Sequence, residues 1–321
     1  MRRREFLAAI GAAYAWVPTA KGQTQHKLPI VGYLGGGNQE NYQAFIEGLR
    51  ELGYVSGQTI TLKARFHGAS AERAEEFADE LVSLHCDVIF ASTPPAIYAV
   101  MRRTRVIPTI GIDLEDDPVA IGWAQSIARP GGNLTGIFPG LPELGGKLIE
   151  LLKEVMPRLA DVAVLWDETL GAAQFRATES AIQASDVKPV SLPVREAKDL
   201  NAAVEHAVRA HVQGLIVLTS PMILLQRELI VELTLKERLP IISGFTSFPK
   251  AGALMAYGAD LPSMFKRAAS FADRILHGAQ AGELPIERPS KFELIVNLKT
   301  ARALGIEIPW QIQQLADEVI E

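Results

Sequence analysis

Short apolar runs alternate with longer amphipathic stretches along most of the chain. Residues 29–34 form the first apolar run, and the stretch behind it places Tyr42, Phe45 and Leu49 on one face of a predicted helix. Further strands are predicted at residues 59–66, 87–91 and 107–112, with helices between them. Strands that alternate with helices favour a parallel sheet covered by helices on both faces.

The alternation breaks once, at a turn-rich segment, and then starts again. Residues 128–133 contain Pro130, Gly131 and Gly132, which favour a turn. After this turn we predict helices at 144–156, 172–185, 200–210 and 223–236, and strands at 162–166, 188–194, 214–218 and 240–243. Two series of similar length in 321 residues predict an α/β protein with two Rossmann-like lobes, each a parallel sheet flanked by helices.

The first 22 residues have the three-part layout of an export signal. A basic start is followed by an apolar stretch at residues 6–17 and by small residues up to position 22. This stretch is shorter than the ~20 residues that span a bilayer, so we predict a signal peptide at residues 1–22. Arg3 and Arg4, with the residues that follow them, resemble the twin-arginine export motif. No cysteine ends the segment, so we expect a periplasmic protein without a lipid anchor.

Composition narrows the possible classes of function. The net charge is −5 and the Lys and Arg residues are scattered, so we expect no nucleic-acid partner. Cys86 is the one cysteine, which excludes a disulfide within the chain and disfavours a cysteine-based zinc site. His206 and His211 are five residues apart, which does not place both on one helix face. We therefore expect no metal, no cofactor and no catalytic group, as in a protein that is not an enzyme.

The ends of the predicted strands supply the candidate binding residues. In doubly wound sheets a ligand binds beyond the carboxyl ends of the strands. These positions hold small, hydroxylic, acidic and aromatic residues, which suit hydrogen bonding and stacking of a small polar solute. The candidate ligand-binding residues are Gly36, Gly37, Asn38, Ser92, Thr93, Pro94, Asp113, Asp117, Trp166, Asp167, Thr219, Ser220, Gly244, Phe245 and Tyr257.

Three of these groups allow more than one interpretation. The glycines at 35–37 lack the Gly-Lys-Ser/Thr ending of a phosphate loop, and phosphate binding, another anion and a plain turn all remain open. The acidic residues at 113 and 115–117 either contact a ligand ammonium, bind a metal or are solvated. Trp166 ends a predicted strand, where it either stacks on the ligand or packs in the core or hinge.

Several segments together carry a resemblance to a known family. They read VGYL at 31–34, GLRELGY at 48–54, ARPGGNLTG at 128–136, AGALMAYG at 251–258 and PSKFELIVNLKTA at 289–301. They resemble ABC-transporter substrate-binding proteins of the type I periplasmic-binding fold, in the branch that includes tryptophan- and aromatic-amino-acid-binding members. The resemblance implies three segments that cross between the lobes, with the ligand held between them. It places lobe 1 at 28–136 and 257–290, and lobe 2 at 137–256 and 291–321.

The chain departs from the family pattern at two predicted strand ends. Family members often have Asn-Pro where this chain has Trp166, Asp167 and Glu168, and the loop after the third strand carries the doubled proline Pro94-Pro95. Both departures indicate either a different ligand or a diverged protein without a transport role.

These features predict an extracytoplasmic solute-binding protein of an ABC importer. It would capture a small polar solute, such as an amino acid or carboxylate, by closure of the two lobes. The expected partners are that solute and the membrane permease, and the expected state is a monomer. The alternatives are a sensor that presents its closed form to a membrane receptor, and an enzyme on the same scaffold.

Overall fold

The computed structural model describes residues 27–115, 117–138, 144–289 and 291–321. The predicted export signal and Asp116 therefore lie outside the described residues. The strands are β1 (Ile30–Gly35), β2 (Thr61–Phe66), β3 (Val88–Ser92), β4 (Thr109–Ile112), β5 (Leu134–Ile137), β6 (Asp161–Asp167), β7 (Lys188–Val194), β8 (Gly214–Val217), β9 (Ile241–Ser243), β10 (Met255–Ala259), β11 (Phe292–Asn297) and β12 (Glu318–Ile320). The helices are α1 (Gln39–Glu51), α2 (Ala71–Ser83), α3 (Pro94–Arg103), α4 (Leu144–Val155), α5 (Ala172–Ala184), α6 (Asp199–Arg209), α7 (Pro221–Leu225), α8 (Arg227–Lys236), α9 (Phe248–Ala251), α10 (Leu261–Leu276), α11 (Leu298–Leu304) and α12 (Trp310–Leu315).

The strands form two separate sheets with the same internal order. The first sheet has five parallel strands in the order β2-β1-β3-β4-β5. The second has seven strands in the order β12-β11-β10-β9-β8-β6-β7, and its strands from β10 to β7 are parallel and repeat the first arrangement. At its edge β11 runs antiparallel to β10, and β12 pairs with β11. The predicted fold class, two α/β lobes with parallel sheets flanked by helices, is confirmed.

The two lobes exchange one helix each. Helix α4 follows β5 of the first sheet but packs against β8, β9 and β10 of the second. Helix α10 follows β10 of the second sheet but packs against α1 and against β3, β4 and β5 of the first. The chain thus crosses between the lobes after β5, after β10 and before β11. The boundary expected between residues 256 and 257 falls inside β10, because this strand pairs with β11 up to Ala259.

A glycine lies on the last parallel strand of each sheet, just before a crossing. A Cβ on Gly136 of β5 would lie 1.9 Å from the carbonyl oxygen of Gly111. A Cβ on Gly258 of β10 would lie 1.9 Å from the carbonyl oxygen of Gly244. Only glycine allows two backbones to approach this closely. Both strands therefore require glycine at these positions, just before the chain crosses to the other lobe.

Buried aromatic rings fill the first lobe between its sheet and α1. Tyr33, Phe45 and Phe90 pack with ring centroids 4.6 to 5.9 Å apart, and Phe265 of α10 lies 5.3 Å from Phe90. All four side chains are at most 5% exposed. Rings packed in this way hold α1 and α10 firmly against the strands whose ends face the second lobe.

The predicted helix at 223–236 is two helices in the structure. Helix α7 begins at Ser220, whose hydroxyl accepts a hydrogen bond of 3.2 Å from the backbone N–H of Ile223. Gln226, with φ −102° and ψ 15°, interrupts the helical path before α8 begins. The apolar periodicity continues through this break, which is why the sequence pattern alone predicts one helix.

None of the helices within the described ranges is both long and apolar enough to cross a membrane. The longest of them, α10, has 16 residues, and its apolar face is buried in the first lobe.

Candidate functional site

A cavity lies between the lobes at the carboxyl ends of the strands, and we call it the central cavity. Its volume is about 60 Å³. The strand ends and helices of the first lobe line it with Tyr33, Gly36, Asn38, Asn41, Ser92, Thr93, Pro94, Ile112, Leu114 and Glu115. The second lobe contributes Pro221, Leu224, Leu225 and Phe245, and α10 contributes Leu261 and Phe265.

Two helices of the first lobe begin at the central cavity. The side chain of Asn38 accepts a hydrogen bond of 2.9 Å from the backbone N–H of Asn41 and so caps α1. The hydroxyl of Thr93 accepts one of 3.3 Å from the backbone N–H of Ala96 and caps α3. Both residues are common N-caps, and capping fixes their side chains at the cavity wall.

A hydrogen bond with the buried His67 holds the Thr93 side chain in place. His67 directly follows β2, has no exposed surface, and its Nε2 lies 2.8 Å from the Thr93 hydroxyl. Its Nδ1 is buried and has no hydrogen-bond partner among the described residues. Burial, with a smaller effect of the nearby Arg73 charge, lowers the pKa of His67 to about 4. The imidazole is therefore neutral at pH 7.

Ser92 and Tyr33 form a second polar pair beneath the cavity. The Ser92 hydroxyl donates to the Tyr33 hydroxyl at 3.4 Å, and both residues are at least nine-tenths buried. Burial raises the pKa of Tyr33 well above its ordinary value. The phenol therefore stays neutral and can serve as a hydrogen-bond donor.

The second lobe presents an apolar surface to the same space. Leu224 and Leu225 come from α7, and Phe245 follows β9 and stacks on Phe248 at 6.2 Å between centroids. The lobes approach closely here, since a Cβ on Gly36 would lie 3.7 Å from Cβ of Pro221. The structure is thus a closed arrangement, with the second lobe lying over the polar residues of the first.

The cleft continues on both sides of the central cavity. On one side lies a region that we call the polar pocket, of about 80 Å³. Asn38, Asn41, Leu224 and Leu261 line it and the central cavity alike. The polar pocket is otherwise lined by Glu40, Thr246, Ser247, Lys250, Asp260, Pro262, Glu293 and Ile295. On the other side, Asp167 lines the open mouth of the cleft together with residues 68–72 and 195–197.

This geometry can enclose a small solute, and the comparisons with known proteins agree with it. A family model described as ABC transporter substrate binding protein matches residues 34–320. The chain belongs to this family. It is a solute-binding protein of the ABC-transporter type, which confirms the main function predicted from the sequence.

The relatives of this family member include proteins with named ligands. The "Tyrosine-binding protein" of Clostridioides difficile (strain R20291) is 25% identical over 267 residues, which are 83% of this chain and 76% of that protein. The ABC domain in complex with L-Trp from Streptococcus pneumonia is 20% identical with a TM-score of 0.83, covering 91% of this chain and all of that one. A ligand-free, open substrate binding protein from Clostridium difficile is 21% identical with a TM-score of 0.66, covering 91% of this chain and 99% of that one.

Part of the predicted set of binding residues meets at the central cavity. The residues of that set that line it are Gly36, Asn38, Ser92, Thr93, Pro94 and Phe245. Five of these six belong to the first lobe. The rule that ligands bind beyond the strand ends therefore selected the wall of the first lobe better than that of the second.

Other predicted residues of the second lobe have structural contacts outside the central cavity. Trp166 stacks on Phe175 at 4.5 Å between centroids and donates a hydrogen bond of 2.9 Å to Ser191. Thr219 bonds to the side chain of Gln174, with 3.0 Å between its Oγ1 and the Gln174 Nε2. Ser220 caps α7, Tyr257 stacks on Phe292 at 5.8 Å, and Gly244 lies against Thr219 and Gly258.

The remaining predicted residues of the first lobe stabilise loops. Asp113 is 1% exposed, and its Oδ1 accepts from the backbone N–H of Glu115 at 2.8 Å. Asp117 is exposed and accepts from the backbone N–H of Val119 at 2.8 Å. Gly37 has φ +107°, and space around its Cα is open. No group of three or more His, Cys, Asp or Glu side chains in the described part of the chain could hold a metal ion.

Sequence reasoning did not select Asn41 or the leucines of α7, and it considered Glu115 only as one of the acidic residues at 113 and 115–117. Asn41 lies on the buried face of α1, which it shares with Phe45 and Leu49. A polar residue on an otherwise apolar helix face, three residues after an N-cap, was the available signal. Leu224 and Leu225 carried no such signal, because leucines within a helix are ordinary core residues.

Proposed function

We propose that this protein captures an amino acid with an apolar side chain and presents it to an ABC permease. The observation that carries the proposal is the lining of the central cavity. Leu224, Leu225 and Phe245 face it from the second lobe, whereas Asn38 and Asn41 line it on the first lobe, next to the polar pocket. A solute with an apolar body and a polar end matches this distribution better than a wholly polar one does.

The named ligands of relatives support this class of solute. Tyrosine and L-Trp are amino acids with large apolar side chains, and proteins named for or complexed with them share the fold of this chain. The higher TM-score with the L-Trp complex than with the ligand-free, open protein supports a closed arrangement of the lobes here.

Closure of the lobes is the proposed mechanism of capture. The solute docks on the wall of the first lobe while the cleft is open. Rotation about the crossings after β5, after β10 and before β11 then brings the apolar surface of the second lobe over it. Binding favours the closed form only through contacts that the open form lacks, and the second lobe supplies those contacts. The permease would recognise the closed form.

The proposal includes the cellular location of the protein and its oligomeric state. Proteins of this family act outside the cytoplasmic membrane, and we propose export through the signal at residues 1–22 by the twin-arginine route, without a lipid anchor. We also propose that the protein is a monomer and binds and releases its solute unchanged.

Calorimetry of the purified protein with the L-amino acids tests the proposal. We expect at least one apolar amino acid to bind, and a ligand at 100 times its Kd to raise the free energy of unfolding by about 2.7 kcal/mol. Phe245→Ala removes a ring from the cavity wall and should weaken binding at least tenfold. The control Trp166→Phe alters a ring outside the cavity and should leave Kd unchanged. A protein that binds only sugars or polar amino acids would contradict the proposal.

A further inference from the structure

Asn41 combines burial with an unsatisfied side chain. The residue is 6% exposed, yet its carboxamide forms no hydrogen bond to any residue that the structure describes. Its backbone N–H, in contrast, is bonded to the Asn38 side chain at 2.9 Å. The amide atoms of Asn41 are not among the fully buried polar atoms without a partner in the described residues, so they face the cavity, where a bound group or water can pair with them.

The position of Asn41 connects two different environments. It lines both the central cavity, which is mainly apolar, and the polar pocket beside it. Across the polar pocket lie Thr246 and Ser247 of the second lobe, which are half-buried, and the Ser247 hydroxyl forms no capping hydrogen bond to α9. Polar groups of both lobes therefore face one another across the polar pocket.

The charges around the polar pocket favour one end of an amino acid over the other. Three carboxylates, Glu40, Asp260 and Glu293, and one cation, Lys250, line the polar pocket. Glu293 is paired with Lys291 and Lys250 with Glu318, which leaves Glu40 and Asp260 without an ion pair among the described residues. An excess of carboxylates attracts the ammonium group of an amino acid and repels its carboxylate. The ammonium of an amino acid is therefore favoured on this side of Asn41.

We propose that Asn41 binds the head group of the solute. The apolar side chain of the solute occupies the central cavity, and its ammonium group points into the polar pocket. The carboxamide oxygen of Asn41 accepts a hydrogen bond from the ammonium, and Thr246 and Ser247 reach the head group when the lobes close. This inference rests on the proposed function, to which it adds the orientation of the solute and the residue that sets it.

The variant Asn41→Leu tests the role of the carboxamide with L-leucine, L-phenylalanine, L-tyrosine and L-tryptophan as probes. We expect it to raise the Kd of each bound probe at least tenfold. The melting temperature of the unliganded protein should stay equal or rise, because the change removes a buried polar group without a partner. Asn41→Ala gives the same readout if the leucine variant does not fold.

Asn297→Leu is the matched control. Asn297 is 4% exposed, but its carboxamide donates to the backbone oxygen of Pro249 at 2.8 Å and accepts from the backbone N–H of Thr300 at 2.9 Å. This variant should lower the melting temperature and change Kd less than twofold. A structural asparagine at position 41 would behave in the same way, and that result would overturn the inference.

Analogues of the tightest-binding probe test the orientation. The amine that lacks the carboxylate should lose less affinity than the acid that lacks the ammonium, and the reverse order would overturn the proposed direction. If Asn41→Leu binds as tightly as the unaltered protein, this inference fails while the proposed function stands. If the unaltered protein binds neither these four probes nor any other apolar L-amino acid, the proposed function fails and the inference falls with it.

Discussion

Protonation of His67 should limit the stability of the fold in acid. The imidazole is fully buried behind the cavity wall, bonded to Thr93 through Nε2 and unpaired at Nδ1. Its pKa falls from 6.5 to about 4, mainly because burial disfavours the charged form. Above pH 6.5 neither the folded nor the unfolded chain protonates this group, and its contribution to stability is complete.

The sign and size of the effect follow from linkage between protonation and folding. Below pH 6.5 His67 is protonated in the unfolded chain, whereas in the folded chain it stays neutral down to about pH 4. The free energy of unfolding therefore falls as the pH is lowered across this interval. Between pH 7 and pH 4.5 the loss from this single group is about 2 kcal/mol. Such a loss is a large part of the 5–15 kcal/mol that is typical of folded domains.

The variant His67→Gln isolates this contribution. Glutamine does not titrate and can still reach the Thr93 hydroxyl, so we expect a loss of about 1 kcal/mol at pH 7. Its unfolding free energy should then fall about 2 kcal/mol less than that of the unaltered protein between pH 7 and pH 4.5. Urea denaturation at four pH values, followed by fluorescence and circular dichroism, measures both quantities.

The comparison has an internal control. Protonation of carboxylates also destabilises the fold in acid, but it affects both proteins alike and cancels in their difference. If the curves of His67→Gln and the unaltered protein run parallel from pH 7 to pH 4.5, the reasoning about His67 is refuted.

Further predictions concern packing and reactivity. Gly146→Ala should raise the unfolding free energy in urea by about 0.5–1 kcal/mol, since alanine favours helices over glycine and its Cβ would make an ordinary contact of 3.8 Å with Cβ of Ala181. Gly145→Ala should lower it by about 1–3 kcal/mol, because its Cβ would lie 2.0 Å from Oγ1 of Thr178 on α5; effects of equal sign would contradict the packing of these helices. Burial raises the pKa of the Cys86 thiol to about 11, so a disulfide reagent at pH 8 should label it slowly in the folded protein and rapidly in urea. Rapid stoichiometric labelling without urea would show that the thiol is not buried.

Much of the fold follows from periodicity along the chain. Strand β7 begins and ends as predicted, and α4 and α5 each end one residue before their predicted limits. Local patterns report such elements because an apolar run and an amphipathic run bury their side chains in different ways. The same patterns fail at Gln226, where the backbone turns but the apolar spacing continues.

The cavity wall of the first lobe could also be predicted from the sequence. Gly36, Asn38 and Thr93 follow strands and precede helices, and a parallel sheet brings all such junctions to one edge. Their place at the central cavity is therefore a consequence of chain order and of capping chemistry, both of which are local.

The wall of the second lobe depended on tertiary structure. Leu224 and Leu225 lie at the cavity only because α7 ends there and the lobes close over it, and Trp166 lies elsewhere because Phe175 of α5 covers its ring. No local pattern separates a leucine that faces a cavity from one that faces the core, since both are buried. Which buried residues line the cavity depends on how the two lobes approach each other. Local sequence patterns do not reveal that approach.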